Sequence, residues 1–348
     1  MNVSDFDYDL APELVAQFPA PDRAAARLLS LDRASRTWTH STVAALPRLL
    51  LPGDLVVLND TRVFPSRLLG RRVPSGGAVE CLLTARAAGD RWEALVHPGQ
   101  KLKPGAIVRF EGEAIALFAE VLERRFHGRR VIRLWRDDGG DVEEAIDRIG
   151  HVPLPPYIRR PDEAIDRERY QTIYARSRGS VAAPTAGLHF SGRLLDEMKE
   201  RGIERTVITL HIGYGTFKPV RSERVEEHTV DPEWIEIGEG AAQAINRAKH
   251  EGRRVVAVGT TTTRALESAA LAGSGAIQPI ARPTDLFIYP GFEFRVVDAL
   301  LTNFHLPRSS LLMLVCALAG RELLLAAYRD AVAHRYRFYS YGDAMLIV

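Results

Sequence analysis

The sequence predicts an α/β fold: an open twisted-sheet α/β domain with a small antiparallel β-barrel domain inserted into it. Three observations carry this. Apolar runs of strand length at 54–59, 204–212 and 254–258 are interspersed with helical patterns, as in a layered sheet covered by helices. From 66 to about 140 the texture changes to short apolar stretches separated by turn signals, which suits a small barrel or sandwich. A chain of 348 residues has room for about two domains. The expected division is 1–65 with 150–348 for the α/β domain and 66–149 for the insertion.

In chain order, the run at 54–59 follows Pro52-Gly53 and reads as a buried strand. Strands in the insertion are expected at 78–84, 91–97, 107–110, 115–122 and 130–135. Turn residues separate them: Pro74-Ser75-Gly76-Gly77, Ala88-Gly89-Asp90, Pro98-Gly99, Pro104-Gly105, His127-Gly128 and Asp138-Gly139-Gly140. Ser191 reads as the N-cap of a helix. The runs at 204–212 and 254–258 read as strands, the second leading through Gly259 and four threonines into a helix ending near 272. Further strands are expected at 285–289, 295–301 and 343–348, and helices at 309–319 and 321–334 with Gly320 between them.

Composition excludes several classes. Hydrophobic residues at 46% and charged residues at 26% are ordinary for a globular protein. The two cysteines, Cys81 and Cys316, sit in apolar runs and read as small buried thiols; without a CxxC they make no zinc site. A reduced, cytoplasmic setting is expected. The acidic start, Asp5, Asp7 and Asp9, is the opposite of a secretory signal. The longest uncharged apolar run, 311–319, falls well short of the ~18 residues of a spanning helix, so no membrane association is expected. A net charge of +2 does not announce a nucleic-acid binder. Only five of the 46 basic residues are lysine, an excess of arginine that codon usage explains better than phosphate binding does.

Six polar clusters fall at expected strand ends, where α/β proteins bind ligands. Asn59-Asp60-Thr61-Arg62 is equally well read as turn chemistry. The stretch 179–190 surrounds Thr185 and His189 with small residues that let a backbone approach a ligand, though a plain loop explains it too. His211 precedes Gly213-Tyr214-Gly215-Thr216, followed by Glu226-Glu227-His228, which also reads as a solvated charge run. Gly259 to Arg264 gathers hydroxyls and free N–H groups suited to a carboxylate or phosphate, or serves only as a helix cap. Thr302-Asn303-Phe304-His305 and the aromatic, arginine-rich 335–343 complete the set; core packing is the plainer reading of the last. Neither GxGxxG nor a P-loop is present.

Together these stretches resemble one family over nearly the whole chain. The matching blocks are Asp5-Phe6-Asp7-Tyr8-Asp9-Leu10 with Ala16-Gln17-Phe18-Pro19, then Leu58-Asn59-Asp60-Thr61-Arg62-Val63, and 150–159. Asp166 with Arg169-Tyr170-Gln171-Thr172, 180–190, 210–220, Asn303-Phe304-His305-Leu306-Pro307 and 339–347 continue in order. The family is the S-adenosylmethionine:tRNA ribosyltransferase-isomerases of queuosine biosynthesis. The resemblance implies transfer of the ribosyl portion of S-adenosylmethionine to the aminomethyl group of a 7-deazaguanine at the tRNA wobble position. Epoxyqueuosine in tRNA, adenine and methionine are the products. It also implies an α/β domain with an inserted barrel, no metal, and no cofactor beyond S-adenosylmethionine, itself a consumed substrate. No obligate protein partner is evident. The sequence departs from the family at Asp231, where a second histidine is common, and at Tyr214, bulkier than expected between two glycines.

This chemistry needs a base at the ribose 5′ carbon, an unprotonated amine and a proton for the departing adenine, hence histidines or carboxylates with tuned pKa. The candidates are His189, His211, Glu227, His228 and His305, with base and acid unassigned among them. Substrate contacts are expected from Asp60, Arg62, Thr185, Thr216, Thr260, Thr261, Arg264 and Asn303, the 260–264 turn anchoring the methionine carboxylate. Arg159, Arg160, Arg169, Arg176 and Arg178 are expected to hold the tRNA backbone. Two alternatives remain: a non-catalytic RNA-binding protein, and an S-adenosylmethionine-dependent tRNA methyltransferase, which the missing glycine-rich loop disfavours.

Overall fold

The computed structural model describes residues 1–87, 89–112, 115–126, 128–273 and 275–348, so Ala88 and His127 of two expected turns lie outside the described residues. Four parallel strands form the centre of a nine-stranded sheet, in the order Glu204–His211, Leu55–Asn59, Val255–Val258, Ala299–Asn303. Antiparallel strands extend one edge, Glu233–Ile237 and then Ile280–Thr284. On the other edge Ala344–Ile347 runs antiparallel to Ala299–Asn303 and parallel to Arg27–Asp32, which pairs with Thr37–Thr42.

Alternation along these strands divides the core in two. Leu55, Val57, Val255 and Ala257 pack under helices Glu239–His250, Thr260–Ala272, Ser310–Ala319 and Arg321–Ala333. Val56, Leu58, Val256 and Val258 face the opposite layer, where helix Gly192–Glu200 lies. Burial on both faces is why these strands read as unbroken apolar runs. Ser191 caps Gly192–Glu200, its Oγ accepting from Leu194 N–H at 3.2 Å. Gly259 has φ +91°, a left-handed conformation that suits glycine and turns the chain from Val258 into the next helix.

Six antiparallel strands close the barrel in the order Arg129–Trp135, Arg91–His97, Ala78–Arg86, Arg67–Val73, Ile107–Gly112, Ile115–Arg124. Helix Val142–Ile149 buries Ala145 and Ile146 in its core. Phe64 and Val181, from outside the barrel, join the same core.

Two expected strands are displaced. Residues 285–289 are irregular, and the strand nearby is Ile280–Thr284. There Leu286 is tied to side chains, its carbonyl to Arg264 Nε at 2.8 Å and its N–H to Thr284 Oγ1 at 3.3 Å. The strand expected at 295–301 starts only at Ala299. The N–H groups of Arg295, Val296 and Val297 donate instead to the buried carboxylate of Glu267, at 2.9, 3.0 and 2.9 Å. Cys81 and Cys316 are buried, and burial pushes both thiols up to about 12. Among the described residues no single helix is long and apolar enough to cross a membrane; Ser310–Ala319 and Arg321–Ala333 pass that test only jointly, and they bend by 115°.

Candidate active site

The four parallel strands end at Asn59, His211, Val258 and Asn303, and such carboxyl ends are where an open α/β sheet binds ligands. A cleft lies there, about 560 Å³ with the solvent at its mouth included. Its floor comes from the 182–186 segment and from Gly259, Thr260 and Thr261 at the start of helix Thr260–Ala272. That helix end presents N–H groups and positive dipole, favourable to an anion. Thr262 and Thr263 turn their hydroxyls back to the carbonyls of Val258 and Gly259, at 2.7 and 3.2 Å. Thr261 Oγ1 has no protein partner, nor has Asn303 Oδ1, and both are buried on residues lining the cleft.

One wall is aromatic. Tyr157 lies 3.9 Å from Tyr339 and 6.1 Å from Phe217, centroid to centroid. Tyr157 and Ser340 join their hydroxyls at 2.5 Å, and burial holds the Tyr157 phenol well above its ordinary value. Tyr339 adopts φ +72°, an uncommon conformation for a bulky residue. Of this wall, Tyr339 comes from the aromatic terminal cluster at 335–343, for which core packing was the plainer reading; Tyr157 and Phe217 come from the matching blocks 150–159 and 210–220.

His305 lines the cleft and is buried. Its Nε2 lies 2.9 Å from Thr302 Oγ1, its backbone N–H donates to Tyr328 Oη at 3.1 Å, and Tyr8 donates to its carbonyl. Burial pushes its pKa down to about 3. Asn303 links the cleft to His189, Nδ2 standing 3.2 Å from His189 Nε2 and 3.2 Å from the Tyr339 carbonyl. His189 itself lines a second cavity, of about 270 Å³, and Ser340 borders both. Burial, partly opposed by the charge of Asp343, lowers His189 to about 4.

These two imidazoles make stability depend on pH. Each is neutral in the fold and titrates near 6.5 once unfolded, so below 6.5 the unfolded chain binds protons that the folded chain does not. Stability is therefore expected to fall with pH from 6.5 towards about 4, by up to about 1.4 kcal/mol per pH unit per histidine. Urea unfolding at pH 7 and pH 5 checks this; a His305→Gln variant should show a shallower dependence.

The structure gathers Thr185, Thr216, Thr260, Thr261, Asn303 and His305 around the cleft. The other candidates lie elsewhere. His211 Nδ1 meets Thr61 Oγ1 at 2.8 Å, and buried Asp60 accepts from Thr209 Oγ1 at 2.6 Å. Burial lowers the His211 pKa. Arg62 is exposed. Glu227 is exposed in a short turn, and His228 sets its ring edge-on to Phe287 at 5.0 Å. Arg264 points away from the cleft lining into a buried ion pair with Glu233 at 2.5 Å.

Glu233, absent from the sequence candidates, organises this wall: its carboxylate also accepts from Gly213 N–H at 3.0 Å and Thr216 Oγ1 at 3.2 Å. A hint lay in its strand, where inward positions 233, 235 and 237 include one carboxylate that must find partners. Asp231 bridges Lys218 and Arg129 at 2.6 and 2.8 Å, tying the loop after the cleft to the barrel. Tyr214 packs against the barrel core.

The arginine stretch is divided. Arg160 forks onto buried Asp166 at 2.7 and 2.8 Å, and Arg178 pairs with Asp147 and Glu143 at 2.7 and 3.3 Å. Arg169 donates to the carbonyls of Pro21 and Ala20. Arg159 and Arg176 are exposed and have no ion-pair partner among the described residues.

Residues 3–347 match a family described as queuosine biosynthesis protein. The chain is 51% identical to the S-adenosylmethionine:tRNA ribosyltransferase-isomerase of Aquifex aeolicus and 50% identical to that of Heliobacterium modesticaldum, each over the full length of both chains. It also resembles the crystal structure of an S-adenosylmethionine tRNA ribosyltransferase from Thermotoga maritima. There the TM-score is 0.56 and the identity 36%, over 99% of this chain and all of that one.

Proposed function

The chain belongs to the queuosine biosynthesis protein family, and from that premise we infer that the cleft at the sheet's carboxyl ends is where its reaction occurs. The enzyme is an S-adenosylmethionine:tRNA ribosyltransferase-isomerase, with tRNA and S-adenosylmethionine as substrates. In the proposed reaction the ribosyl group passes to the aminomethyl group of a 7-deazaguanine at the wobble position, and adenine and methionine leave.

The observation that carries this placement is the pairing of an aromatic wall with a helix N-terminus in one cleft. Tyr157, Phe217 and Tyr339 offer π faces to a sulfonium and a base. The start of helix Thr260–Ala272 suits the methionine carboxylate, and the unpartnered Thr261 Oγ1 and Asn303 Oδ1 can take substrate N–H or O–H groups. His305 is the imidazole of the five candidates at this lining; burial keeps it neutral and makes it a weak base, so we propose that it takes up a proton only as charge develops beside it in the transition state. Exposed Arg159 and Arg176 are proposed to meet the tRNA backbone. S-adenosylmethionine is proposed to be the sole small-molecule requirement, and the cytoplasm, where tRNA resides, the site of action.

Purified protein given S-adenosylmethionine and tRNA bearing the aminomethyl-deazaguanine should release adenine and methionine together, in EDTA as well as without it. Chromatography of the products tests this. S-adenosylhomocysteine would indicate methyl transfer, and tRNA binding without consumption of S-adenosylmethionine would indicate a binding protein.

A further inference from the structure

We propose that the second cavity, beside the cleft, is an oxyanion subsite in which Arg23 and Arg169 hold a phosphodiester of the tRNA next to the reacting nucleotide. The proposal rests on the functional reading above. Arg23 and Arg169 both line this cavity. Their hydrogen bonds run to main-chain carbonyls alone: Arg23 to Leu188 and Glu168 at 2.9 and 3.0 Å, Arg169 to Pro21 and Ala20 at 3.1 and 2.5 Å. Neither makes an ion pair among the described residues, and Arg169 Nε is buried without any partner.

The neighbouring carboxylates do not fill this gap. Asp166 is taken by Arg160 and the Tyr341 hydroxyl. Asp343 is taken by the Arg27 side chain and by the N–H groups of Arg27 and Arg337. Glu168, exposed on the short helix Asp166–Arg169, attracts Arg23, while Arg169 repels it. No carboxylate lines the cavity. Two guanidinium groups, each with N–H donors to spare, thus border one cavity that opens to solvent, without a carboxylate among its lining residues. A planar fork of this kind matches the oxygens of a phosphate.

Location selects the source of the anion. Ser340 borders both cavities, and the Asn303–His189 pair connects them. A base against the aromatic wall and a phosphate beside Arg23 would then be adjacent parts of one nucleotide. The single carboxylate of S-adenosylmethionine already has the helix N-terminus within the cleft.

The test measures tRNA affinity against salt, with S-adenosylmethionine affinity and melting temperature on the same samples. The Arg23→Gln, Arg169→Gln double variant should lose one phosphate contact, lowering the slope of log K against log salt by about 0.7 to 0.9. S-adenosylmethionine affinity should stay within about twofold of wild type. The Arg23→Lys variant, which keeps the charge, should keep the slope. Because the arginines also brace loops, Ala20→Glu is the second probe. It sets a carboxylate at the cavity wall while leaving every arginine in place, and it should lower the slope similarly. An unchanged slope in both the double variant and Ala20→Glu overturns the subsite. A tenfold loss of S-adenosylmethionine affinity with the tRNA slope intact would assign the anion to the methionine carboxylate and overturn the phosphodiester. Release of adenine by the wild-type enzyme is scored separately, so failure of the subsite and failure of the functional reading give different results.

Discussion

Replacing His305 with alanine is expected to lower the single-turnover rate by roughly two to four orders of magnitude, the usual worth of a positioned acid or base. Binding of S-adenosylmethionine should change little, because a proton-transferring group acts mainly in the transition state. Two features single out this histidine: it lines the cleft, and its Nε2 is oriented by Thr302. The competing account is that it only packs. A packing role predicts a lower melting temperature and a near-normal rate per folded molecule, so both are measured on each sample. His305→Gln preserves much of the volume and a hydrogen bond to Thr302 but cannot serve as a base, so it should be as slow as alanine. His189→Ala and His211→Ala are the comparators. A large loss at His211 with His305→Ala near wild type would move the reaction centre out of the cleft and towards Thr61 and Asp60.

What the sequence made legible follows from how each element is buried. The strands at Leu55–Asn59 and Val255–Val258 are apolar throughout because helices cover both faces, so they stand out as runs. Barrel strand Arg67–Val73 escapes notice because it carries Arg67, Arg71, Arg72 and Gly70 and fully buries only Leu68. The edge hairpin strand Thr37–Thr42 is nearly all polar, since one face meets solvent. Side-chain pairing is less legible still. Arg160 and Arg159 are neighbours of one type, yet one is locked onto Asp166 and the other is exposed. That difference is set by a contact with a turn six residues on and by Tyr341, whose hydroxyl shares Asp166 from 175 residues away. The cleft was visible piecemeal: Thr185, Thr260, Asn303 and His305 each stood at a strand end. Their convergence needed the strand order, which crosses over repeatedly and brings 59, 211, 258 and 303 side by side.

The largest stability effect is expected at Glu233. Its carboxylate is 5% exposed and forms an ion pair with Arg264, which is 7% exposed. Glu233→Ala leaves the guanidinium buried and unpaired, a change that typically costs about 3–5 kcal/mol and is read by urea unfolding. It also frees Gly213 N–H and Thr216 Oγ1, so the turn carrying Phe217 to the aromatic wall loses its anchor. Stability and substrate binding should therefore fall together, and a double variant separates them. Adding Arg264→Met to Glu233→Ala removes the stranded charge, and replacing a whole buried pair by apolar side chains is often nearly neutral. Most of the lost stability should return. Affinity for S-adenosylmethionine should remain weakened, because methionine at 264 restores no acceptor to Gly213 or Thr216. Recovery of both would mean that the ion pair serves the core alone and that the turn holds its place without Glu233.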